Sequence, residues 1–153
     1  MKKLIMAAVA AVVLAACRTS PPVVVSTATR PAASNATGGA DAPGAVRAFM
    51  SAAKQQDLQA LGAAWGDADG PARDRISREE LEKRELIMMR CLRHDRFDIV
   101  GEAPNPGGSR VLVVNMTFKE ISRSTNFTVV RGPSDRWYVQ KYDPEPLQPI
   151  CLA

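Results

Sequence analysis

Aromatic residues, histidine and cysteine are scarce in this chain of 153 residues. Phe, Trp and Tyr make up 5% of it, and there are one His and three Cys. Three cysteines are too few for a disulfide-stapled miniprotein, and one histidine with so few thiols supplies no metal-ligand set. We therefore expect neither a metal nor a cofactor. The chain also lacks a Gly-X-Y period and internal repeats, which excludes collagen-like and repeat architectures.

Net charge is also low. The formal value is +4, and Lys2 and Lys3 contribute half of it. No basic stripe is interleaved with aromatic residues, so no nucleic-acid partner is expected. With 46% hydrophobic and 24% charged residues, the composition is typical of a globular protein.

One long apolar run is present, at the N-terminus, where the thirteen uncharged residues 4–16 follow Lys2 and Lys3. A membrane-spanning helix needs about 20 apolar residues, so this run is too short to cross a bilayer. A positively charged start, a short apolar run and small residues at its end predict a secretory signal peptide at residues 1–16.

The end of this run, Leu14-Ala15-Ala16-Cys17, resembles the lipobox of bacterial lipoproteins. The resemblance implies diacylglyceryl transfer to the Cys17 thiol, cleavage before Cys17, and acylation of the new amine with a fatty acid such as palmitate. Two or more acyl chains hold a protein stably on a membrane, here with its domain in the periplasm. Because Arg18 rather than Asp follows, the resemblance favours the outer membrane over the inner. The alternative is an ordinary signal peptide before a chance cysteine.

Residues 17–42 are expected to form the lipidated N-terminus and a flexible tether. Pro, Gly, Ser, Thr and Ala dominate this segment and bury too little apolar surface to offset its ordering entropy. Val23–Val25 is an exception, which would add a short edge strand or belong to an apolar part of the linker.

Helical periodicity begins at Pro43, a residue suited to a first helical turn. Apolar residues then repeat every three or four positions up to Trp65. A break at Gln55-Gln56, with Asp57 as the next N-cap, divides this stretch into two helices, and Gly66 ends the second. Residues 66–76 are predicted to be a loop.

A third helix is predicted from Arg78 to Arg93. Ser77 and Glu80 have the spacing of a capping box. Two acid–base pairs have the favourable i, i+4 spacing: Glu79–Lys83 and Glu80–Arg84.

Beyond His94 the apolar period changes from 3.6 to 2, which predicts strands. They are separated by turn clusters and cover Phe97–Gly101, Val111–Phe118, Asn126–Arg131 and Arg136–Tyr142. Short connections favour an antiparallel meander. Helices followed by strands predict a single α+β domain over residues 43–153.

Two features of this domain resemble the nuclear transport factor 2-like superfamily, which includes ketosteroid isomerase-like domains. The first is the opening, Ala45-Val46-Arg47-Ala48-Phe49 followed by Gln56-Asp57-Leu58-Gln59-Ala60-Leu61. The second is the aromatic last strand, Arg136-Trp137-Tyr138-Val139. The resemblance covers Pro43 to about Asp143 and implies N-terminal helices packed across a curved antiparallel sheet, as a cone around a pocket. The charged helix Arg78–Arg93 departs from the family's short third helix.

The apolar faces of these elements predict the core. Its members are Phe49, Leu61, Trp65, Leu81, Met88, Leu92, Val114, Phe118 and Trp137. The candidate ligand-binding residues of the cone are Trp65, Met88, Phe118, Trp137 and Tyr138.

Cys91 and Cys151 are the two cysteines of the domain. An even number of cysteines in an oxidising compartment favours a disulfide between them. The bond would fix the tail, residues 144–153, onto the third helix, because the prolines of the tail argue against a helix or central strand there. Free buried thiols are the alternative.

No motif assigns a catalytic residue. His94 is expected to be a solvated residue at the end of the third helix. Isomerases of the resembled superfamily use a pocket acid and a Tyr oxyanion donor, and Asp98, Tyr138 and Tyr142 are residues of these types. We expect instead that Asp98 faces solvent on an edge strand and that the tyrosine hydroxyls are exposed.

Three functions remain in competition. The leading one is a non-catalytic envelope lipoprotein that binds a small apolar ligand or a protein partner through its cone. The alternatives are an isomerase or dehydratase-type enzyme and a purely structural interaction module. A filled interior would favour the structural module, a cavity without acids the binding protein, and a cavity where an acid meets Tyr138 the enzyme.

Overall fold

The computed structural model describes residues 37–153. The predicted signal peptide, Cys17 and Val23–Val25 lie outside these residues. The described part contains four α-helices and six strands, joined by turns. In chain order they are α1 Ala42–Gln55, α2 Leu58–Ala64, β1 Gly66–Asp67, β2 Gly70–Pro71, α3 Arg78–Cys91, β3 Arg96–Pro104, β4 Arg110–Phe118, β5 Ile121–Arg131, β6 Trp137–Tyr142 and α4 Gln148–Leu152.

The break between α1 and α2 is confirmed. The Asp41 carboxylate caps α1 by accepting the Gly44 N–H. Gln56 ends α1 in the left-handed conformation, with φ at 55°. Asp57 then begins α2 by accepting the Ala60 N–H at 3.0 Å, as its position predicts.

The capping box predicted for α3 is wrong, although the helix begins at Arg78 as expected. Ser77 makes no side-chain bond to the helix, and the Glu80 carboxylate accepts from Arg84 at 2.7 Å instead of from the Ser77 backbone N–H. The predicted Glu79–Lys83 pair is confirmed at the same distance.

Strands β3 to β6 form a curved antiparallel sheet in the order β3-β4-β5-β6. The α+β class and the meander are therefore confirmed. Strand β5 begins at Ile121 rather than Asn126, because it pairs with β4 from Val129 down to Ile121, which lies opposite Phe118. The edge strand β3 carries a register shift between Ile99 and Gly101, a device that blunts an exposed edge.

Helix α1 packs across the sheet and closes the core. The rings of Phe49 and Phe127 meet edge to face, with centroids 6.1 Å apart. Of the predicted core, Phe49, Leu61, Leu81, Leu92, Val114 and Trp137 are buried. The other three, Trp65, Met88 and Phe118, are partly buried and pack against the core from its rim.

The first half of strand β6, residues 137–139, is buried on both faces, and backbone bridges cover its outer edge. Gly39 forms an antiparallel bridge with Trp137, and Trp65 forms a parallel bridge with Val139. The Arg136 guanidinium also donates to the carbonyl of Thr37 at 2.9 Å. Residues 37–42, assigned to the tether by composition, are therefore bonded to the domain, since backbone hydrogen bonds need no apolar side chains.

Two further segments differ from prediction. Residues 66–71 form the small hairpin β1–β2 within the predicted loop. The tail forms the short helix α4, and the expectation that its prolines forbid a helix is wrong because Pro149 occupies the first turn, where its missing N–H costs nothing. Leu147 and Ile150 of the tail are fully buried.

Within residues 37–153, no helix combines the length and apolar character needed to cross a bilayer.

Candidate functional site

An apolar cleft opens beside α3, where α2, α3 and β6 meet at the rim of the core. Its volume is about 230 Å³, and its walls include Trp65, Met88 and Tyr142. The Trp65 indole N–H donates to the Gln140 carbonyl at 3.2 Å, which fixes the ring. Tyr142 stacks on Phe127 at 5.7 Å, and burial raises the pKa of Tyr142 to about 12.

A second and larger space, which we call the basic groove, lies between the end of α1 and the C-terminal half of α3. Its volume is about 650 Å³. Three cationic side chains line it, from Lys54, Arg90 and Arg93, and its apolar walls include Leu86, Met89 and Phe118.

The three cations of the basic groove contact backbone carbonyls rather than carboxylates. Lys54 donates to Asp95 at 2.5 Å, Arg90 to Cys151 at 2.7 Å, and Arg93 to Ile150 at 2.8 Å. The Arg93 guanidinium also lies 4.9 Å from the centre of the Phe118 ring. Among residues 37–153, none of these three cations has a carboxylate side chain within 4.0 Å.

His94 also borders the basic groove, and the expectation that it is solvated is wrong. The residue is 6% exposed, because its ring packs edge to face against Phe97 at 5.3 Å. One ring nitrogen, Nδ1, contacts the Leu92 carbonyl at 2.8 Å. Burial lowers the pKa of His94, which keeps the imidazole neutral.

The candidate ligand residues do not share one pocket. Trp65 and Met88 line the apolar cleft, whereas Phe118 lines the basic groove. Trp137 and Tyr138 line neither of these two spaces and are buried in the sheet.

The structure does not bring together an acid and a tyrosine of the kind that the isomerases use. Asp98 is exposed on the edge strand β3, as predicted. Tyr138 lies on β6, at the opposite side of the sheet, roughly 14 Å away at the usual strand spacing. Its hydroxyl is not exposed, contrary to expectation, because it bonds to the Thr37 hydroxyl at 3.0 Å.

Cys91 and Cys151 form a disulfide in the structure, with Cα atoms 4.1 Å apart. The bond attaches α4 to the end of α3, next to the carbonyl contacts of Arg90 and Arg93. Elsewhere in residues 37–153, no three His, Cys, Asp or Glu side chains are grouped so that they could hold a metal ion.

The buried carboxyl group of Glu85 was missed by sequence reasoning. Glu85 is 1% exposed, and its Oε1 has no hydrogen-bond partner among the described residues. Burial, with smaller contributions from Glu82 and Asp57, raises the pKa of Glu85 to about 7. A signal was present, because Glu85 follows Leu81 by four residues and so lies on the apolar stripe of α3.

No protein-family model, no curated protein and no solved structure matches this chain. The function is therefore argued from the geometry of the described residues and from the motifs of the sequence.

Proposed function

We propose that this chain is a lipid-anchored protein of the bacterial envelope and that its domain is a non-catalytic binding module of the nuclear transport factor 2-like type. The lipobox-like run ending at Cys17 supports the anchor. Two helices joined at Asp57-Leu58 and packed over a curved sheet support the fold type. The domain then lies in the periplasm, with the outer membrane favoured by Arg18.

The observation that carries the binding role is the apolar cleft between Trp65, Met88 and Tyr142. All three side chains are partly exposed, and no carboxylate belongs to the walls of the cleft. Small-molecule pockets usually measure about 300–1,000 Å³, so a cleft of about 230 Å³ accommodates one apolar ring or one apolar side chain. The occupant is thus a small apolar ligand or an apolar side chain of an envelope protein.

The position of the cleft follows from how the interior is packed. Phe49, Met50, Phe127 and Met116 are fully buried between α1 and the sheet. An interior packed this densely has no room for a ligand, so we place binding at the rim of the domain. The enzyme alternative lacks support, because Asp98 lies away from the cleft, whereas the structural module remains the outcome if the cleft binds nothing.

Toluene, a neutral ligand with a single ring, tests the cleft by NMR titration. We expect binding to the unmodified protein and a loss of affinity of about tenfold in Met88→Phe, because the larger ring fills the space. Met89→Phe is the matched control, since Met89 faces the basic groove, and it should bind the probe as the unmodified protein does. No binding, or equal binding by both variants, would favour the structural module.

The intact mass of protein extracted from membranes tests the anchor. We expect a chain that starts at Cys17 and carries acyl groups, and Cys17→Ser should lose both the acyl mass and membrane retention. A soluble product that starts at another residue would contradict lipidation without bearing on the cleft.

A further inference from the structure

The basic side chains near the two ends of α3 have different kinds of partner. In its N-terminal half each basic side chain is paired one turn away, at 2.7 Å, as Arg78–Glu82, Lys83–Glu79 and Arg84–Glu80. Arg90, near the end of α3, and Arg93, just after it, donate instead to main-chain oxygens of Ile150, Cys151 and Ala153. Among the described residues, neither has a carboxylate side chain within 4.0 Å. The basic side chains of α3 are therefore paired with acidic side chains near its start, whereas those near its end have no acidic side-chain partner among the described residues.

Lys54 adds a third positive charge from α1, across the basic groove. Donor capacity remains, because Arg90 uses only Nε and Lys54 makes one hydrogen bond. Asp95, two residues after Arg93, accepts the backbone N–H of Lys119 at 2.6 Å, and Asp57, three residues after Lys54, accepts the backbone N–H of Ala60. The groove is thus suited to anionic groups.

Large apolar side chains protrude beside these cations. Leu86 and Ile87 of α3 are 58% and 69% exposed. Leu152 of α4 is 79% exposed and follows Cys151, which is bonded to α3 through Cys91. Of the four most exposed large apolar residues in the described part of the chain, only Val100 lies elsewhere, on β3. Basic residues with protruding Leu and Ile are typical of protein surfaces that lie in the headgroup region of a membrane.

We propose that the basic groove, with Leu86 in its wall, forms a docking face for the surface of an anionic lipid bilayer together with the exposed Ile87 of α3 and Leu152 of α4. Lys54 and Arg90 contact lipid phosphates, while the apolar side chains enter the boundary between headgroups and acyl chains. The disulfide holds α3 and α4 in one rigid face. The proposal rests on the charge and exposure of these residues, so it stands whether or not Cys17 is acylated.

Hydroxyl-radical footprinting of the full chain, reconstituted in lipid vesicles, tests this face. One set of vesicles is phosphatidylcholine and the other an equal mixture of phosphatidylcholine and phosphatidylglycerol. On the anionic vesicles we expect oxidation of Leu86, Ile87 and Leu152 to fall about threefold or more, as insertion removes them from water. Val100, 55% exposed on β3, is an internal control whose oxidation should not change.

Charge variants decide whether the groove directs this docking. Lys54→Gln with Arg90→Gln should abolish the protection, whereas Arg123→Gln with Lys141→Gln, exposed cations of β5 and β6, should preserve it. High salt should also remove the protection. Equal protection on neutral vesicles, protection of Val100 to the same degree, or no protection on anionic vesicles would overturn the proposal. So would protection by glycerol 3-phosphate without vesicles, which would indicate a site for a soluble anion.

Discussion

Gly62 of α2 lies against the carboxyl group of Glu85 on α3. A methyl group at Gly62 would stand 2.7 Å from Oε1 of Glu85 and 3.2 Å from the Leu81 side chain. The absence of a side chain at Gly62 therefore lets the two helices approach, and the approach encloses an ionisable group that has no hydrogen-bond partner among the described residues.

Stability should fall as pH rises through the titration of Glu85. Its pKa is about 4.3 in an unfolded chain and about 7 in the fold, so the folded state binds more protons between these values. The contribution of Glu85 is fully present below about pH 4 and is lost by about pH 7, with a total on the order of 3 kcal/mol. Denaturant unfolding across this range measures it.

Glu85→Gln isolates this effect, because it keeps the shape and removes the charge. The difference in unfolding free energy between the variant and the unmodified protein should grow in favour of the variant from pH 4 to 8. Buried His94, whose pKa is lowered, acts in the opposite sense below about pH 6.5 but cancels in this difference. Glu79→Gln, exposed on the same helix, is the matched control and should change stability far less, because Glu79 is not buried. A flat difference for Glu85→Gln would contradict the burial argument.

Gly62→Ala should destabilise the fold by about 1–3 kcal/mol, although alanine favours helices more than glycine does. The added methyl group must displace the Glu85 carboxyl group or separate α2 from α3. In the background of Glu85→Ala the same change should cost less, and a double-mutant cycle by thermal unfolding measures the coupling. Additive effects would show that the two positions do not touch.

Removing the Cys91–Cys151 disulfide, as Cys91→Ser with Cys151→Ser, should lower stability by roughly 4 kcal/mol on the loop-entropy model. The two residues are separated by 60 positions. Neither thiol of the unmodified protein should react with a labelling reagent until a reductant is added. Labelling of either one without reductant would mean that the bond does not form.

Leu61→Ala should cost about 2–5 kcal/mol, because Leu61 is fully buried between the helices and the sheet. Leu58→Ala, at a partly buried position of the same helix, should cost less. Denaturant melting compares the two variants, and a loss below about 0.5 kcal/mol at Leu61 would refute its place in the core.

The sequence predicted the helices and strands better than the contacts between them, because the signals for a helix or strand are local. Asp57 was recognisable because an N-cap involves residues a few positions apart, and the β4 face was recognisable from strict alternation. The bond between Thr37 and Tyr138 joins residues 101 positions apart, so no window of sequence contains it. For the same reason the burial of the Tyr138 hydroxyl was not predicted.

The candidate site was predicted only in part. Trp65 and Met88 line one cleft as their apolar character suggested. The basic groove depends on Lys54, Arg90 and Arg93 converging from two helices, and helix ends commonly carry basic residues for reasons of dipole alone. Their spatial grouping follows from packing, which periodicity does not reveal.

The bridge between Gly39 and Trp137 has a consequence for how this protein folds during translation. Gly39 pairs with β6, nearly a hundred positions later in the chain, and Leu147 and Ile150, which complete the core, come later still. During translation α1 can pack on α2 early, but it cannot pack on β5 and β6 until residues 121–142 have emerged, because these contacts are distant in sequence. The core is therefore completed only when nearly the whole chain has been synthesised.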